Sequence, residues 1–338
     1  MSDERRGPAP YGGCAVNVEL RHLRALAAIG DEGTITGAAA ALHVSQPALS
    51  RTLEQLESRL GTSLVERTTR RLRLTPAGRR LYEHAHRILT QLDDALAEAT
   101  AGPRALRVGF VWAALGRHTV PLLREWRQAR PDVPVEVHRL ADPEAELRRG
   151  TVDLAFLRTL PADDGALHTV ALYQERRMAA LCESDPLAGA DAVGLADLAH
   201  HPIALCATAC TTSTELWPAG RRPRHTFEVA NVDEWLTAIA TGEAAGVTAE
   251  ATGHSHPHPG VRYLPITDAG PLTVLLARPR TVTHPATAAF ADHARRILRG
   301  GAAGAPVTDA ATAPPADGPR TGATPPSDAL VPPVSPIA

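Results

Sequence analysis

Thr36-Gly37-Ala38-Ala39-Ala40-Ala41-Leu42-His43-Val44-Ser45-Gln46-Pro47-Ala48-Leu49-Ser50-Arg51, carried on through Leu53, Leu56 and Leu60 to Gly61, is the stretch on which the fold turns. Ala38 to Leu42 are strong helix formers, and Thr36 reads as their N-cap. His43 and Val44 make a turn. Ser45 then caps a second helix, in which Pro47 falls in the first turn, where no intrahelical hydrogen bond is lost. Leu49, Leu53, Leu56 and Leu60 recur at spacings of four, three and four, which marks one buried face. Gln46, Ser50 and Arg51 are left at the exposed leading end. A plain αα-hairpin with a solvated polar face satisfies this pattern. A helix-turn-helix needs the same stripe together with short polar and guanidinium groups placed to meet base edges.

Upstream, Leu20, Leu23, Leu26 and Ala27 predict a first helix that packs under this pair and ends before Gly33. Downstream, two short β patterns at 64–67 and 71–74, joined by Thr68-Thr69-Arg70, read as a wing. Its Arg67, Arg70 and Arg71 are candidates for contact with phosphate or the minor groove. From Pro76 to about Ala99 a long helix follows. Leu81, Ala85, Ile88, Leu92, Ala95 or Leu96, and Ala99 give it a seam of coiled-coil spacing, suited to a second copy or to its own chain. Gly102-Pro103 ends it.

Across residues 17–100 the chain resembles the N-terminal domain of LysR-type transcriptional regulators. The resemblance is carried by Leu20-Arg21-His22-Leu23, Gly33-Thr34-Ile35-Thr36 with Ala38-Ala39, and Val44 to Arg51. It continues through Leu53, Leu56-Glu57, Leu60-Gly61, Leu64, Arg67 and Leu74-Thr75-Pro76-Ala77-Gly78. It implies a winged helix-turn-helix that reads double-stranded promoter DNA with Thr36, Ser45, Gln46, Pro47, Ser50, Arg51 and the wing arginines. It also implies a homodimer through the linker helix, assembling further to a homotetramer, with RNA polymerase as an additional partner. Two residues depart from the family pattern. Val65 replaces the usual Phe, and Gly37 stands where relatives carry a longer, often basic side chain, so no phosphate contact is carried over there.

The chain of 338 residues is comfortable for two domains, and 44% hydrophobic content is ample for their cores. Its net charge of −2 hides an asymmetry: residues 17–90 hold eleven Arg against seven acids, and residues 67–87 hold seven Arg against Glu83 alone. A basic stretch on an otherwise acidic protein is the footprint of nucleic-acid contact. No apolar run reaches the length of a membrane span, and residues 1–16 lack the apolar core of a secretory signal. With only four cysteines, the expectation is a reducing cytoplasm. Residues 1–16 and the Pro/Ala-rich residues 301–338 are expected to be disordered.

From Arg104 the texture becomes alternating strand and helix. Strands are predicted at 106–110, 133–140 and 152–157, with helices at 115–129 and 143–149. A second such set runs through 203–206, 226–229, a helix at 232–241, and 246–248. Strands near 168–173, 178–182 and 272–277 hinge or return between lobes, and 285–298 is a closing helix. Placed after the linker helix, this resembles the family's effector domain, which has the fold of type 2 periplasmic binding proteins. The fold class is therefore α/β overall, with an all-α winged head at 17–75 and a linker helix at 76–102. An effector domain at 103–300 completes it, with lobe I at 104–159 and 262–300 and lobe II at 160–261.

Ligands of open α/β sheets bind beyond the carboxyl ends of the strands. That rule nominates Val111, Trp112, Ala113, Leu140, Arg158, Thr208, Asn231 and Thr248 as effector-binding residues. Relatives often place a small hydroxyl residue near position 112. Trp112 offers instead a flat apolar surface, and Arg158 is suited either to a ligand carboxylate or to a salt bridge at the hinge. Cys206 and Cys210 form a C-x3-C pair, readable as a redox switch, as a metal clip, or as two buried or loop thiols. His254, His256 and His258 lie on a Pro-bounded loop, and no metal site is assigned to them. The chain lacks G-x-S-x-G, H-E-x-x-H and a phosphate-cradling Gly loop, so no enzyme is expected and no cofactor beyond a small-molecule co-inducer. The leading reading is a DNA-binding regulator gated by a small molecule. The alternatives are the same regulator triggered by thiol oxidation, or a solute-binding protein without a DNA role.

Overall fold

In the computed structural model, which describes residues 17–67, 72–206, 208 and 211–300, three helices build the head: α1 (Leu20–Glu32), α2 (Ile35–Ala41) and α3 (Gln46–Leu60). Strand β1 (Val65–Arg67) pairs antiparallel with β2 (Leu72–Leu74) beside them. Leu26, Ile29, Ala38, Leu49, Leu53, Leu56 and Leu64 form one buried cluster, so the leucine stripe does face the core. Gly33 and Gly61 close α1 and α3 at φ 63° and 65°, a left-handed conformation that glycine adopts without Cβ strain. One expectation fails here. The cap of α2 is Thr34, whose Oγ1 accepts from the Gly37 amide at 3.1 Å, whereas Thr36 is the second helical residue and exposed. After left-handed Gly33 only one extended residue precedes the helix, and position 34 supplies it. Ser45 caps α3 as expected, accepting from the Ala48 amide.

Glu57 fastens the β hairpin to α3. Its Oε1 accepts from the Leu64 and Val65 amides at 2.7 and 3.1 Å and from the Ser63 hydroxyl at 3.2 Å. Thr75 then caps α4 (Pro76–Ala101) through the Gly78 amide, and Gly102 ends it. The apolar seam of α4 divides. Leu81 packs onto the head and Ala85 is fully buried, while Ile88 and Leu96 stand 44% and 60% exposed. Tyr82 is buried at the same junction and donates to Asp31 at 2.5 Å. Burial and that carboxylate raise its pKa to about 12.

A five-stranded sheet follows, in the order β4 (Val135–Arg139), β3 (Leu106–Phe110), β5 (Leu154–Leu157), β12 (Leu272–Pro279), β6 (Leu167–Glu175). The β3–β4 and β3–β5 pairs are parallel, as the β/α alternation predicts; β12 runs antiparallel to both its neighbours. Period-two alternation sends Val108, Phe110, Phe156, Val274 and Leu276 to one face, against α5 (Thr119–Ala129) and α10 (Thr287–Gly300). Ala155, Leu157, Leu275 and Ala277 go to the other face, against α6 (Pro143–Arg149).

In the second lobe β7 (Arg177–Cys182) lies between β10 (Gly246–Ala249) and β11 (Val261–Pro265), antiparallel to both. β8 (Ile203–Cys206) pairs parallel with β9 (Thr226–Val229). Around them pack α7 (Leu195–Leu198), α8 (Val232–Ala240) and α9 (Glu250–Ser255). The lobe limits expected from the sequence need correcting. The strand over 167–175 is an edge of the first sheet, and 261–265 belongs to the second, so the crossings fall at Arg176 and within 266–271. β10, expected to continue a parallel set, is antiparallel to β7 and touches β8 through a single parallel bridge between Ile203 and Ala245.

Where α4 meets the first lobe, Asp153 is fully buried. It receives Arg104 through two bonds of 2.7 Å, the Arg107 amide at 2.9 Å and the Thr283 hydroxyl at 2.6 Å. Asp94 of α4 takes Arg107 at 2.8 Å and Arg104 at 3.1 Å. Among the described residues no helix is long and apolar enough to cross a membrane.

Candidate functional site: a reading edge and an interlobe cavity

The leading end of α3 is open. Gln46, Pro47 and Arg51 are exposed, Ser50 is half-buried, and the Arg51 side chain lies back along the helix with Nε 3.3 Å from the Pro47 carbonyl. The Ser45 hydroxyl oxygen accepts the Ala48 amide as the cap, which sets the helix entry and leaves its O–H free to donate. Arg70 and Arg71 lie outside the described residues, and only the backbone of Arg67 falls within them.

A cavity of about 400 Å³ opens between the lobes. Six of the eight nominated effector residues line it: Val111, Trp112, Ala113, Arg158, Thr208 and Thr248. Their common origin is the rule that loops following strand carboxyl ends face the crevice. Two do not line it. Leu140 follows β4 but turns beneath the sheet, where its Cδ1 would stand only 2.8 Å from any Cβ at position 109, a place that glycine keeps open. Asn231 is the cap of α8, accepting from the Asp233 and Glu234 amides at 3.0 Å and donating to Glu234 at 2.8 Å. Residues that the rule missed are Thr159, Thr252, Asp142 and Glu144. Asp142 was findable: an Asp before Pro-Glu at a helix start is a capping signal, and it accepts from the Ala145 amide at 2.9 Å.

Arg158 decides the cavity's chemistry. It and Glu175 are an ion pair with side chains only 3% and 5% exposed, Nε facing the carboxylate. Nη2 donates to the Ala114 carbonyl at 2.7 Å, and Nη1 is buried with no hydrogen-bond partner among the described residues. Glu175 closes the first sheet's edge strand one residue before the crossing, so this pair sits at the hinge. Beside it Tyr173 is buried with an unpartnered hydroxyl, and burial, reinforced by Glu175, pushes its pKa up. His118 leans on the Tyr173 ring at 5.2 Å, and burial followed by Arg117 pulls its pKa down.

A second set of bonds ties the lobes across the cavity mouth. Ser255 donates to the Ala113 carbonyl at 2.8 Å, and His256 Nε2 lies 2.8 Å from the Trp112 carbonyl with its ring against that indole. His256 thus serves as a latch, and no group of three His, Cys, Asp or Glu among the described residues is placed to hold a metal. Cys206 Sγ lies 3.3 Å from the Thr208 hydroxyl, while its sequence partner Cys210 falls outside the described residues.

A winged helix-turn-helix joined by a long helix to a two-lobed, cavity-bearing α/β domain defines a transcriptional regulator of the two-module type. The family described as "Bacterial regulatory helix-turn-helix protein, lysR family" matches residues 20–79, and "LysR substrate binding domain" matches residues 100–299. The transcriptional regulator BenM of Acinetobacter baylyi is 31% identical over 270 residues, covering 76% of this chain and 88% of BenM. The uncharacterized regulator YnfL of Escherichia coli is 36% identical over 196 residues, covering 55% of this chain and 65% of YnfL, so the match spans just under two thirds of that relative. A full-length BenM variant of known structure is similar with 28% identity and a TM-score of 0.51, covering 83% of this chain and 96% of that one. The chain belongs to the LysR family of bacterial helix-turn-helix regulators.

Proposed function

We propose that this protein is a promoter-binding transcriptional regulator whose DNA binding or bending responds to a small molecule held between its effector lobes. The observation that carries the proposal is one helix touching both modules. Asp142, Pro143 and Glu144 at the start of α6 line the cavity. At its other end Arg149 lies over the Tyr82 ring at 5.8 Å, and Gly150 lies against Arg87, both on the linker helix α4. Tyr82 in turn belongs to the head's core and bonds Asp31 of α1. A ligand that binds the closed lobes better than the open ones shifts that equilibrium by its differential affinity, and α6 is placed to pass the shift to the head. A second copy completes the reading of a near-palindromic site. The exposed Ile88 and Leu96 on α4 are the surface that supports its docking. Assembly to a tetramer and contact with RNA polymerase extend the same reading.

Operator binding tests it. Arg51→Ala is expected to lower affinity for the operator by about 1–3 kcal/mol, the worth of a good bidentate base contact, while leaving random duplex nearly unaffected. Arg70→Ala is expected to weaken every sequence alike and to flatten the salt dependence by about one phosphate contact per subunit. Fluorescence anisotropy on promoter and scrambled duplexes over a salt series reads both. Unchanged operator preference in Arg51→Ala would remove its base-reading role.

A further inference from the structure

The cavity holds more information about its ligand than the fold requires. We infer that it selects an uncharged molecule, a flat apolar or aromatic body carrying one hydrogen-bond acceptor, over the corresponding carboxylate. This deepens the ligand-gated reading above and rests on it.

Charge is the first observation. Among the described residues Arg158 is the one cation lining the cavity, and Glu175 already neutralises it in a buried ion pair. Two carboxylates, Asp142 and Glu144, line the same space. Glu144 is matched by Arg148 at 2.8 Å, but Asp142 is held only by the cap amide. Among the described residues an anionic ligand therefore meets no unmatched positive charge and one unmatched negative one. In a half-buried crevice such a balance disfavours the anion.

Donor geometry is the second. Arginine holds a carboxylate strongly through two parallel N–H groups. On Arg158 the Nε edge faces Glu175 and Nη2 donates to the Ala114 carbonyl, which leaves Nη1 as the one nitrogen of this guanidinium without a partner among the described residues. A buried donor without a partner is unfavourable, so an acceptor offered to it is favoured, and one carbonyl or ether oxygen suffices. The other polar lining is neutral: Thr159, Thr208, Thr211, Thr248 and Thr252, of which the Thr248 and Thr252 hydroxyls are 2.6 Å apart and bond each other. Trp112 supplies the apolar surface, braced edge-on by Trp235 at 5.6 Å.

The test is a set of matched pairs titrated into the full-length protein at neutral pH: benzamide against benzoate, phenylacetamide against phenylacetate, methyl 4-hydroxybenzoate against 4-hydroxybenzoate. Binding is read by tryptophan fluorescence and by saturation-transfer NMR. The neutral member of each pair is expected to bind at least tenfold more tightly, and Trp112→Leu to abolish its fluorescence response. Glu175→Gln frees the charge of Arg158 and is expected to raise carboxylate affinity at least tenfold, narrowing or reversing the order. If that variant folds poorly, Asp142→Asn, which keeps the helix cap and removes the unmatched charge, must narrow the gap in its place. Carboxylates binding wild type as tightly as their neutral partners, no member of either set binding, or an unmoved preference in the variant that folds would each overturn the inference. Operator binding by the same preparations without ligand is scored separately, so failure of the ligand assignment is distinguishable from failure of the DNA-binding reading.

Discussion

Asp153→Ala is expected to destabilise the protein by about 3–5 kcal/mol, the range for removing one partner of a buried ion pair and leaving the other charge uncompensated. Four groups converge on that carboxylate: the Arg104 guanidinium, the Arg107 amide, the Thr283 hydroxyl and, at 3.7 Å, the Arg107 side chain. They come from the start of β3, its approach from α4, and the segment before α10, so the loss is felt at the seam of linker and lobe rather than at one strand. Asn in its place fits the space but turns an amide donor toward donors, and most of the loss is expected to remain. The pH dependence follows from the same geometry. Burial alone raises the carboxyl's pKa, but Arg104, Thr283 and the Arg107 amide outweigh it and hold the pKa below the ordinary value of 3.8. A depressed folded-state pKa means the contribution is fully present above the unfolded value. It is lost as pH falls below that value and through the folded one. Urea unfolding at neutral pH and again below pH 4 should therefore show the gap between wild type and Asp153→Ala closing in acid. A neutral-pH loss under 1 kcal/mol, or a gap indifferent to acid, contradicts the assignment.

Asp153 also marks where sequence reading stops. In Val152-Asp153-Leu154 it looks like a polar interruption ahead of a strand, since its partners Arg104 and Thr283 lie 49 and 130 residues away. Nothing periodic connects them. What was legible was local. The Ser45 cap, the leucines at 49, 53 and 56, and the strands 106–110, 203–206 and 226–229 each depend on residues within one or two turns or one strand length. The cavity residues were legible through a topological rule, and its two failures are instructive. Asn231 sits at the right place in the chain, but a side chain that caps a helix is directed at backbone amides, not at the crevice. Leu140 lies on the far side of the pleat. The lobe boundary was hidden because β6 and β7 are separated by Arg176 alone, with no glycine or proline to mark the crossing. Thr34 and Thr36 are chemically equivalent caps, and only the left-handed turn at Gly33 chooses between them.

Leu56→Ala is expected to uncouple the two modules. Leu56 is fully buried in α3, in a cluster that shares no residue with the cores of either effector lobe. Truncating a buried leucine costs about 2–5 kcal/mol, the transfer of the lost methyl groups plus the void they leave. The head is small, so each kcal/mol moves its melting point by about 4–8 °C, and a drop on the order of 8–40 °C follows. The seat of the recognition helix is also disturbed, because Glu57, the next residue, holds the β hairpin through three hydrogen bonds. Calorimetry should show the head's transition displaced downward, with the effector domain's transition in place. Operator affinity should fall well beyond the effect of Arg51→Ala, because the proposed base and phosphate contacts all depend on that seat. Ligand-induced tryptophan quenching at Trp112 should survive unchanged. If the quenching were lost together with operator binding, the cavity and the head would form one folding unit, and the relay through α6 and Tyr82 would be a structural tie rather than a route for signalling.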